Sequence, residues 1–216
     1  MSIEAFISAS GETPDSVRST RWKRVLDVFI ALAMLAAIWP LFLAVALAVK
    51  LSSPGPVFFV QRRVGRDGCT FSMVKFRSMY LDAEKRRSEV VAQSDRSGIC
   101  IKLKRDPRIT PVGRILRRWS LDELPQLFNV LAGDMSIVGP RPALEEEVAA
   151  YPLHAHRRHH VSPGITGLWQ VSGRADIGFE EMIALDIEYV GRSSLSFDVL
   201  ILLRTVGVVL TGRGAY

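Results

Sequence analysis

Residues 119–142 read WSLDELPQLFNVLAGDMSIVGPRP, and this stretch decides how the chain is organised. Two adjacent carboxylates, Asp122 and Glu123, stand at the start of a short apolar segment that ends at Gly133. Arg141 then lies between two prolines, which fix the backbone and lack N–H donors. Carboxylates suit Mg2+ as oxygen ligands, and guanidinium groups suit phosphate. The stretch therefore predicts a helix start, a stiff loop and a site for phosphate and magnesium.

The backbone around the two carboxylates allows two interpretations. Ser120 and Glu123 have the spacing of a capping box, whereas Pro125 is a typical first helical residue. In both cases the carboxylates lie near a helix N-terminus, whose partial positive charge favours their ionised form. A purely structural role for Glu123, as a helix cap, is the alternative to a catalytic one. The side chains expected to be buried by this helix are Leu124, Leu127, Phe128 and Leu131.

An apolar run at residues 28–49 predicts a membrane helix. A straight helix of this length would measure about 33 Å, enough to cross a bilayer. We expect the helix to kink or break at Pro40, because proline removes a backbone hydrogen bond. Positive residues flank both ends, so the positive-inside rule favours the cytoplasm for both. They are Arg18, Arg21, Lys23 and Arg24 before the run and Lys50, Arg62, Arg63 and Arg66 after it. We therefore expect a re-entrant helix over residues 21–51, with an ordinary kinked spanning helix as the alternative.

A small β-hairpin is expected after the membrane segment. Residues 57–64 and 70–76 have the composition of strands, and the glycines of residues 65–68 are a hairpin signal. Lys75 and Arg77 place two cations at the end of the second strand. A phosphate-binding role and a solvated strand face are both compatible with this pair.

Three further segments favour helices. Thr110 and Pro111 have the pattern of an N-cap and a first helical residue, in a helix that runs to about Trp119. Its arginines and apolar residues are typical of an amphipathic helix in the membrane interface, and a simple surface helix is the alternative. Residues 81–93 predict a mostly polar helix. Residues 198–210 predict a second interfacial or core helix.

Four histidines crowd with two arginines shortly before residues 163–170, a second tight-turn region. A zinc site is disfavoured because neighbouring arginines repel a cation and no cysteine or carboxylate completes the ligand set. We interpret the stretch as a basic surface that faces the membrane or a phosphate. The histidines are His154, His156, His159 and His160.

Composition narrows the class of protein further. The 216 residues carry a net charge of +6 and a pI near 9.7, which favours anionic partners. Neither a Walker loop nor a dinucleotide fingerprint is present, and no nucleic-acid-binding motif is visible. Cys69 and Cys100 are isolated thiols, as expected in a reducing compartment. Residues 1–20 are polar, and we expect a flexible N-terminus without a signal peptide.

Several motifs together resemble the signature of bacterial sugar transferases, the small monotopic phosphoglycosyl transferases, and in particular the catalytic unit of exopolysaccharide-type members. The resemblance covers about residues 20 to 216. One departure is Trp39, because relatives often have serine before the helix-breaking proline. The motifs are SPGPVF at residues 53–58, KFRSM at 75–79, DPRITPVG at 106–113, DELPQ at 122–126 and PGITG at 163–167.

The resemblance implies a fold and a reaction. The fold is α+β and mostly helical, with a re-entrant helix, amphipathic interfacial helices and a small β-hairpin; residues 52–216 form the membrane-associated catalytic domain. The reaction moves a sugar-1-phosphate from a UDP-sugar to polyprenyl (undecaprenyl) phosphate, giving a polyprenyl-diphospho-sugar and UMP. It initiates exopolysaccharide or other glycoconjugate synthesis at the cytoplasmic face of the bacterial inner membrane.

The resemblance also implies roles for named residues. Asp122 is the nucleophile that forms a covalent phosphosugar intermediate, and Glu123 is a ligand of the Mg2+ cofactor, with Asp122 as its neighbour in the metal site. Arg141 is expected on the substrate phosphates. Further candidates for substrate binding are Arg117, Lys75 and Arg77. The partners expected are the donor, the lipid acceptor, inner-membrane lipid and, in a homodimer, a second copy of the chain, with no nucleic acid. The alternatives are a non-enzymatic basic membrane protein that binds anionic lipid or an assembly partner, and a membrane-tethered nucleic-acid binder.

Overall fold

The computed structural model describes residues 21–86, 106–173 and 177–211. Its longest element is helix α1 (Arg21–Ser52), the one helix among the described residues that is long and apolar enough to cross a membrane. Only 11% of its most apolar 18-residue stretch is buried within the protein. Apolar side chains that the protein leaves exposed need another apolar environment, so α1 indicates association with a membrane.

Helix α1 continues through Pro40 without interruption. Of the two outcomes expected at this proline, a kink or a break, the break is wrong. The second half of the helix is held by packing, because Phe42 contacts the ring of Phe76 at 4.7 Å between centroids. Val45 and Val49 are also buried, in the same cluster as Leu116. These contacts stabilise a continuous helix despite the hydrogen bond that proline removes.

The first half of α1 is fixed by charged side chains. Lys23 contacts Asp198 at 2.6 Å, and Asp27 accepts hydrogen bonds at 3.0 Å from the hydroxyl of Ser136 and from the backbone N–H of Ile137. Arg24 donates to the carbonyl oxygens of Val130 and Leu131. Both halves of α1 therefore contact the same domain. We call Lys23, Arg24, Asp27 and Asp198 the anchor cluster.

The predicted hairpin is confirmed. Strands β1 (Phe58–Val64) and β2 (Thr70–Phe76) pair antiparallel, and a 3-10 turn at Arg66–Gly68 connects them. Asp67 and Gly68 adopt positive φ angles of 53° and 80° in this turn. Glycine adopts a positive φ without strain, so the glycine at this position correctly predicted a turn.

Helix α2 (Pro111–Arg118) begins as predicted. Thr110 is its N-cap, and the hydroxyl oxygen accepts a hydrogen bond from the N–H of Gly113 at 2.9 Å. Trp119 ends the helix, and Ser120 then turns the chain sharply with a φ of 55°.

Neither helix-start interpretation for the carboxylate pair is fully correct. Leu121–Glu123 form a separate 3-10 turn, and helix α3 (Gln126–Ala132) begins after Pro125, which occupies the N-cap position. The left-handed Ser120 makes no side-chain cap, so the capping box is wrong. Gly133 ends α3 with a φ of 99°, as predicted. Among the predicted buried side chains, Leu127 is buried but Phe128 is 47% exposed beside Phe42.

Two short strands, β3 (Ser136–Val138) and β4 (Gly164–Thr166), pair parallel and were not predicted. Gly139 passes so close to the β4 segment that a Cβ on Gly164 would meet its nitrogen at 2.1 Å. This approach brings the loop after β3, which contains Arg141, against the tight turn at residues 163–167. The parallel pair therefore joins two of the sequence motifs in space.

The remaining described elements complete a mostly helical α+β fold, as expected. Residues 81–86 form turns, so the described part of the predicted helix at residues 81–93 is not helical. The rest of that segment lies outside the described residues. The predicted apolar C-terminal helix is present. The elements are α4 (Glu145–Ala149), a 3-10 segment (Leu153–His160), α5 (Leu168–Ser172), α6 (Phe179–Arg192) and α7 (Leu195–Thr211).

Candidate active site

The carboxylate pair lies in the 3-10 turn between α2 and α3, at the edge of a cleft. Glu123 Oε1 contacts Lys75 Nζ at 2.7 Å and Arg141 Nη1 at 3.9 Å. Lys75 comes from β2 and Arg141 from the loop after β3, so three separate elements meet at Glu123. The structure thus brings together four of the site residues predicted from the sequence, counting Asp122.

Asp122 is only 7% exposed. Burial raises the pKa of its carboxyl, the charge of Glu123 raises it further, and Lys75 and Arg117 oppose the rise. A carboxylate with a raised pKa and little hydration is a better nucleophile than one in water, and such perturbed groups concentrate at functional sites. Asp122 is therefore a buried carboxyl group with a perturbed pKa, which makes it a candidate functional residue.

Arg117 approaches Asp122 from α2. Its Nε donates to the hydroxyl of Ser78 at 2.9 Å, and burial lowers the pKa of its guanidinium while Asp122 and Asp106 raise it. A glycine permits this geometry, because a Cβ on Gly113 would meet the carbonyl oxygen of Ser78 at 1.9 Å. The close approach of α2 to residue 78 places Arg117 within the site.

Several cations gather around the carboxylate pair in the cleft. The positive charge of Arg141 lowers the pKa of Lys75, Arg117 and Arg63, in each case after the larger effect of burial. Arg141 itself remains 42% exposed. Like charges gather at a cost unless a ligand of opposite charge binds among them, and phosphate groups supply that charge.

Arg63 also lines the cleft. From the sequence it was interpreted only as one of the positive charges that flank the membrane helix. It is 7% exposed, and burial with the nearby charge of Arg141 lowers its pKa to about 10. Gln126 and Gln170 also line the cleft. No sequence signal separated Arg63 from its neighbour Arg62, whose side chain is 71% exposed.

Arg77 is the predicted site residue that the structure places elsewhere. Its guanidinium donates to the carbonyl oxygens of Pro54 and Ser53 at 2.7 Å each, and to the hydroxyl of Ser53 at 3.0 Å. Arg77 also reaches the carbonyl oxygen of Val49, in the last turn of α1. Its geometry is that of a residue that secures the C-terminal end of α1, and we withdraw it from the substrate-binding set.

Asn129 ties the helix after the carboxylate pair to the strand that carries Lys75. Its side-chain oxygen accepts from the N–H of Val74 at 3.0 Å, and its Nδ2 donates to the carbonyl oxygen of Ser72 at 2.8 Å. This pair of bonds imitates a neighbouring strand. It fixes α3 against β2 and so sets the distance between Lys75 and Glu123.

The histidine-rich stretch does not face a membrane or a phosphate as a whole. His156, His159 and Arg158 are buried, and Arg158 forms an ion pair with Asp186 at 2.6 Å. Burial, with the adjacent charge of Arg158, lowers the pKa of His159 to about 3, so its ring is neutral. The basic-surface interpretation is therefore wrong for these three residues, which form part of the core.

The donor set at the cleft fits Mg2+. This ion is commonly held by one or two carboxylates together with phosphate oxygens of a substrate, and Asp122 and Glu123 supply the carboxylates. Within residues 21–86, 106–173 and 177–211, no group of three or more His, Cys, Asp or Glu side chains is placed to hold a metal.

The fold and the cleft are those of a membrane-associated protein in which cations surround a carboxylate pair. The profile of the bacterial sugar transferase family matches residues 18–212. Exopolysaccharide production protein ExoY of Sinorhizobium fredii is 43% identical over 198 residues, which cover 90% of this chain and 88% of the relative. This chain therefore belongs to the bacterial sugar transferase family and is an enzyme of the phosphoglycosyl transferase type.

Larger relatives are similar over the same region. Undecaprenyl-phosphate galactose phosphotransferase of Salmonella typhimurium is 42% identical over 204 residues, and UDP-glucose:undecaprenyl-phosphate glucose-1-phosphate transferase of Xanthomonas campestris is 45% identical over 202. The matches cover 92% and 90% of this chain but only 43% and 40% of these relatives. The chain spans less than half the length of either protein.

Proposed function

We propose that this protein transfers a sugar-1-phosphate from a UDP-sugar to undecaprenyl phosphate, at the cytoplasmic face of the bacterial inner membrane. The observation that carries the proposal is the buried Asp122, adjacent to Glu123 and surrounded by Lys75, Arg117 and Arg141. The printed names of the relatives, which include a UDP-glucose:undecaprenyl-phosphate glucose-1-phosphate transferase, support the same donor and acceptor classes.

In the first half-reaction, a carboxylate oxygen of Asp122 attacks the phosphorus that carries the sugar. A bond forms between this oxygen and phosphorus, and the pyrophosphate bond to the nucleotide breaks. UMP leaves with the bridging oxygen and its electron pair, and Asp122 retains the phosphosugar as an acyl phosphate. We expect Arg117 and Arg141 to stabilise the charge on the phosphoryl oxygens during the transfer. When bound, Mg2+ would neutralise charge on the pyrophosphate and on the leaving group.

In the second half-reaction, an oxygen of undecaprenyl phosphate attacks the same phosphorus. The bond from phosphorus to Asp122 breaks, the carboxylate is regenerated and the lipid carries a diphospho-sugar. The division into two steps lets the soluble nucleotide leave before the lipid reacts. It also reduces the repulsion between two anionic substrates, because they need not occupy the cleft together.

The contacts of α1 support one arrangement in the membrane. Its first half is tied to the domain by Lys23 and Asp27, and its second half by Phe42 and Val49. A helix that crosses the bilayer completely would separate these contacts. The packing therefore supports a re-entrant helix with both ends in the cytoplasm. A homodimer stays a prediction from the sequence.

Purified protein in nanodiscs, incubated with radiolabelled UDP-sugars and Mg2+, tests the reaction. We expect release of UMP before lipid is added, and a phosphosugar mass on the tryptic peptide that contains Asp122, labile to hydroxylamine. Transfer to lipid without an adduct would contradict the covalent mechanism. Absence of UMP release with glucose, galactose and N-acetylated donors would contradict the proposed function.

The topology is tested separately with thiol labelling in intact cells. The native Cys69, exposed in the hairpin turn, reports on the domain, and a Ser10→Cys variant in a background of Cys69→Ser and Cys100→Ser reports on the N-terminus. We expect both to resist a membrane-impermeant reagent and to react after lysis. Labelling of the N-terminal cysteine alone in intact cells would show a spanning helix.

A further inference from the structure

The loop that contains Arg141 is held by its carbonyl oxygens. Four consecutive residues, 140–143, each accept one hydrogen bond, and the four donors come from three different segments of the chain. The bonds are Gly164 N to Pro140 O at 2.9 Å, Arg158 Nη2 to Arg141 O at 2.8 Å, Arg63 Nη1 to Pro142 O at 3.1 Å and Val64 N to Ala143 O at 2.9 Å.

The sequence of the loop explains why its carbonyl oxygens are used. Pro140 and Pro142 have no N–H, so the loop offers few donors by which neighbouring elements could fix it. The carbonyl oxygen of Arg141 lies at the centre of the loop. It accepts from Arg158. Of the two side chains among the four donors, Arg63 lies in the cleft and Arg158 lies outside it.

That donor, Arg158, also contacts two other residues, and the same nitrogen, Nη2, reaches both the carbonyl oxygen of Arg141 and Asp186. Its Nη2 contacts Asp186 Oδ2 at 2.6 Å and its Nη1 donates to the hydroxyl of Tyr151 at 2.7 Å. The side chains of Arg158 and Asp186 are 2% and 0% exposed. Asp186 lies in α6, so the guanidinium connects the helical core directly to the backbone of the Arg141 loop.

We propose that Arg158, oriented by Asp186, is a positioning residue for Arg141. It fixes the carbonyl of Arg141 and thereby directs the exposed guanidinium of that residue towards Glu123 and the transferring phosphate. The inference rests on the proposed function, in which Arg141 binds phosphate. Because Arg158 is buried, any effect of Arg158 on catalysis passes through the residues that it holds.

The cost of the ion pair supports this role. Replacement of a buried ion pair by well-packed apolar residues is often neutral or stabilising, so stability alone gives a weak reason for the pair. An apolar pair could fill the same space but could not donate to the carbonyl of Arg141. In the planar fork of Arg158, Nη2 contacts both the acid of Asp186 and the carbonyl of Arg141, while the other arm of the guanidinium, Nη1, donates to Tyr151 and holds the group in plane.

The test uses the full chain in nanodiscs and the variant Arg158→Met/Asp186→Leu, which removes the donor and keeps the core apolar. We expect membrane association and the melting temperature to stay close to wild type. We expect kcat to fall on the order of 10- to 100-fold, with KM for the UDP-sugar changed less. The control Tyr151→Phe removes one contact of Arg158 and leaves its bond to Arg141, so its kcat should stay within about twofold.

A double-mutant cycle separates positioning from a general structural effect. In an Arg141→Ala background, the Arg158→Met/Asp186→Leu change should reduce kcat by less than about twofold, because its target is gone. Full additivity of the two losses would overturn the proposal, as would an unchanged kcat in the Arg158→Met/Asp186→Leu variant alone. Arg141→Ala with normal turnover would contradict the clamp role of Arg141 and, with it, this inference.

A second readout does not depend on turnover. Hydrogen–deuterium exchange of the peptide that covers residues 139–149 should become faster in Arg158→Met/Asp186→Leu and stay unchanged in Tyr151→Phe. Unchanged exchange in the first variant would overturn the proposal even if the wild type transferred no sugar. If that variant fails to fold, Arg158→Lys serves in its place, since it keeps the charge beside Asp186 and loses the fork.

Discussion

Two groups of charged residues in this protein are built in opposite ways. In the anchor cluster, Lys23 meets Asp198, Arg24 caps the last carbonyls of α3, and Asp27 accepts from the backbone of β3. In the cleft, Arg141 repels Lys75, Arg63 and Arg117, and Glu123 raises the pKa of the adjacent Asp122. Charges in the anchor cluster are matched within the protein and hold the fold together, whereas in the cleft Lys75 and Arg141 share one carboxylate, that of Glu123.

The largest effect is expected in the cleft, at Asp122. Asp122→Asn should abolish both UMP release and adduct formation, a loss on the order of 10⁴-fold or more, because an amide does not attack phosphorus. Glu123→Gln should slow both half-reactions but leave some adduct at high Mg2+. Quench-flow measurement of UMP and mass spectrometry of the adduct check both variants. An adduct on Glu123 in the Asp122→Asn protein would reverse the two roles.

The next largest effect on turnover is expected at Arg141, where the shape of the cationic group matters as well as its charge. Arg141→Lys keeps the charge but loses the fork that grips two oxygens, and we expect kcat to fall about 10²-fold. The melting temperature should remain that of the wild type, since the side chain is partly exposed. Steady-state kinetics and thermal unfolding provide the two measurements. Near-normal turnover would remove Arg141 from the site.

A change in the anchor cluster should act on stability. Asp27→Ala leaves the N–H of Ile137 and the hydroxyl of Ser136 without their acceptor, at a cost of about 1–3 kcal/mol in the free energy of unfolding. The folded fraction should keep nearly normal kcat. Denaturant titration in nanodiscs, together with kinetics at low temperature, checks this expectation. A large loss of kcat at unchanged stability would show that Asp27 acts in catalysis as well as in holding the fold.

The smallest effect is a dependence of stability on pH. The pKa of His159 is about 3 in the folded protein and near 6.5 when unfolded, so the unfolded state binds more protons between these values. Stability should fall as the pH drops below about 6.5, by at most roughly 1.4 kcal/mol per pH unit from this residue. His159→Phe keeps a ring beside Tyr151 and should flatten the slope between pH 7 and 5.5. An unaltered slope in thermal melts would assign the acid sensitivity to other groups.

The sequence predicted those parts of the fold and site that local signals determine. The glycines near residue 66 predicted the hairpin, and Thr110 predicted the start of α2. The roles of Asp122 and Arg141 stay predictions, although the fold brings the two residues to the same cleft. The strand pair β3–β4 was missed because two three-residue strands leave no periodic pattern.

The errors arose where long-range contacts decide. Arg77 was grouped with Lys75, yet β2 ends at Phe76, so strand alternation no longer determines where the next side chain points. Phe128 was expected in the core, but its ring contacts Phe42 of α1 and remains half exposed. The histidines at 156 and 159 were interpreted as part of a charged surface. Composition alone does not show that α6 packs against their segment and buries them.

The attachment of α1 at both ends also constrains how the protein is made. The segments that hold this helix, from β2 to α7, are synthesised after it. At about 5–20 residues per second, roughly 7 to 30 seconds separate the translation of Ser52 from that of Asp198. During this interval the nascent helix meets the insertion machinery and the bilayer without its domain contacts. The flanking cations and Pro40 must therefore determine how α1 is oriented in the membrane before the domain exists. The folded domain then stabilises that orientation.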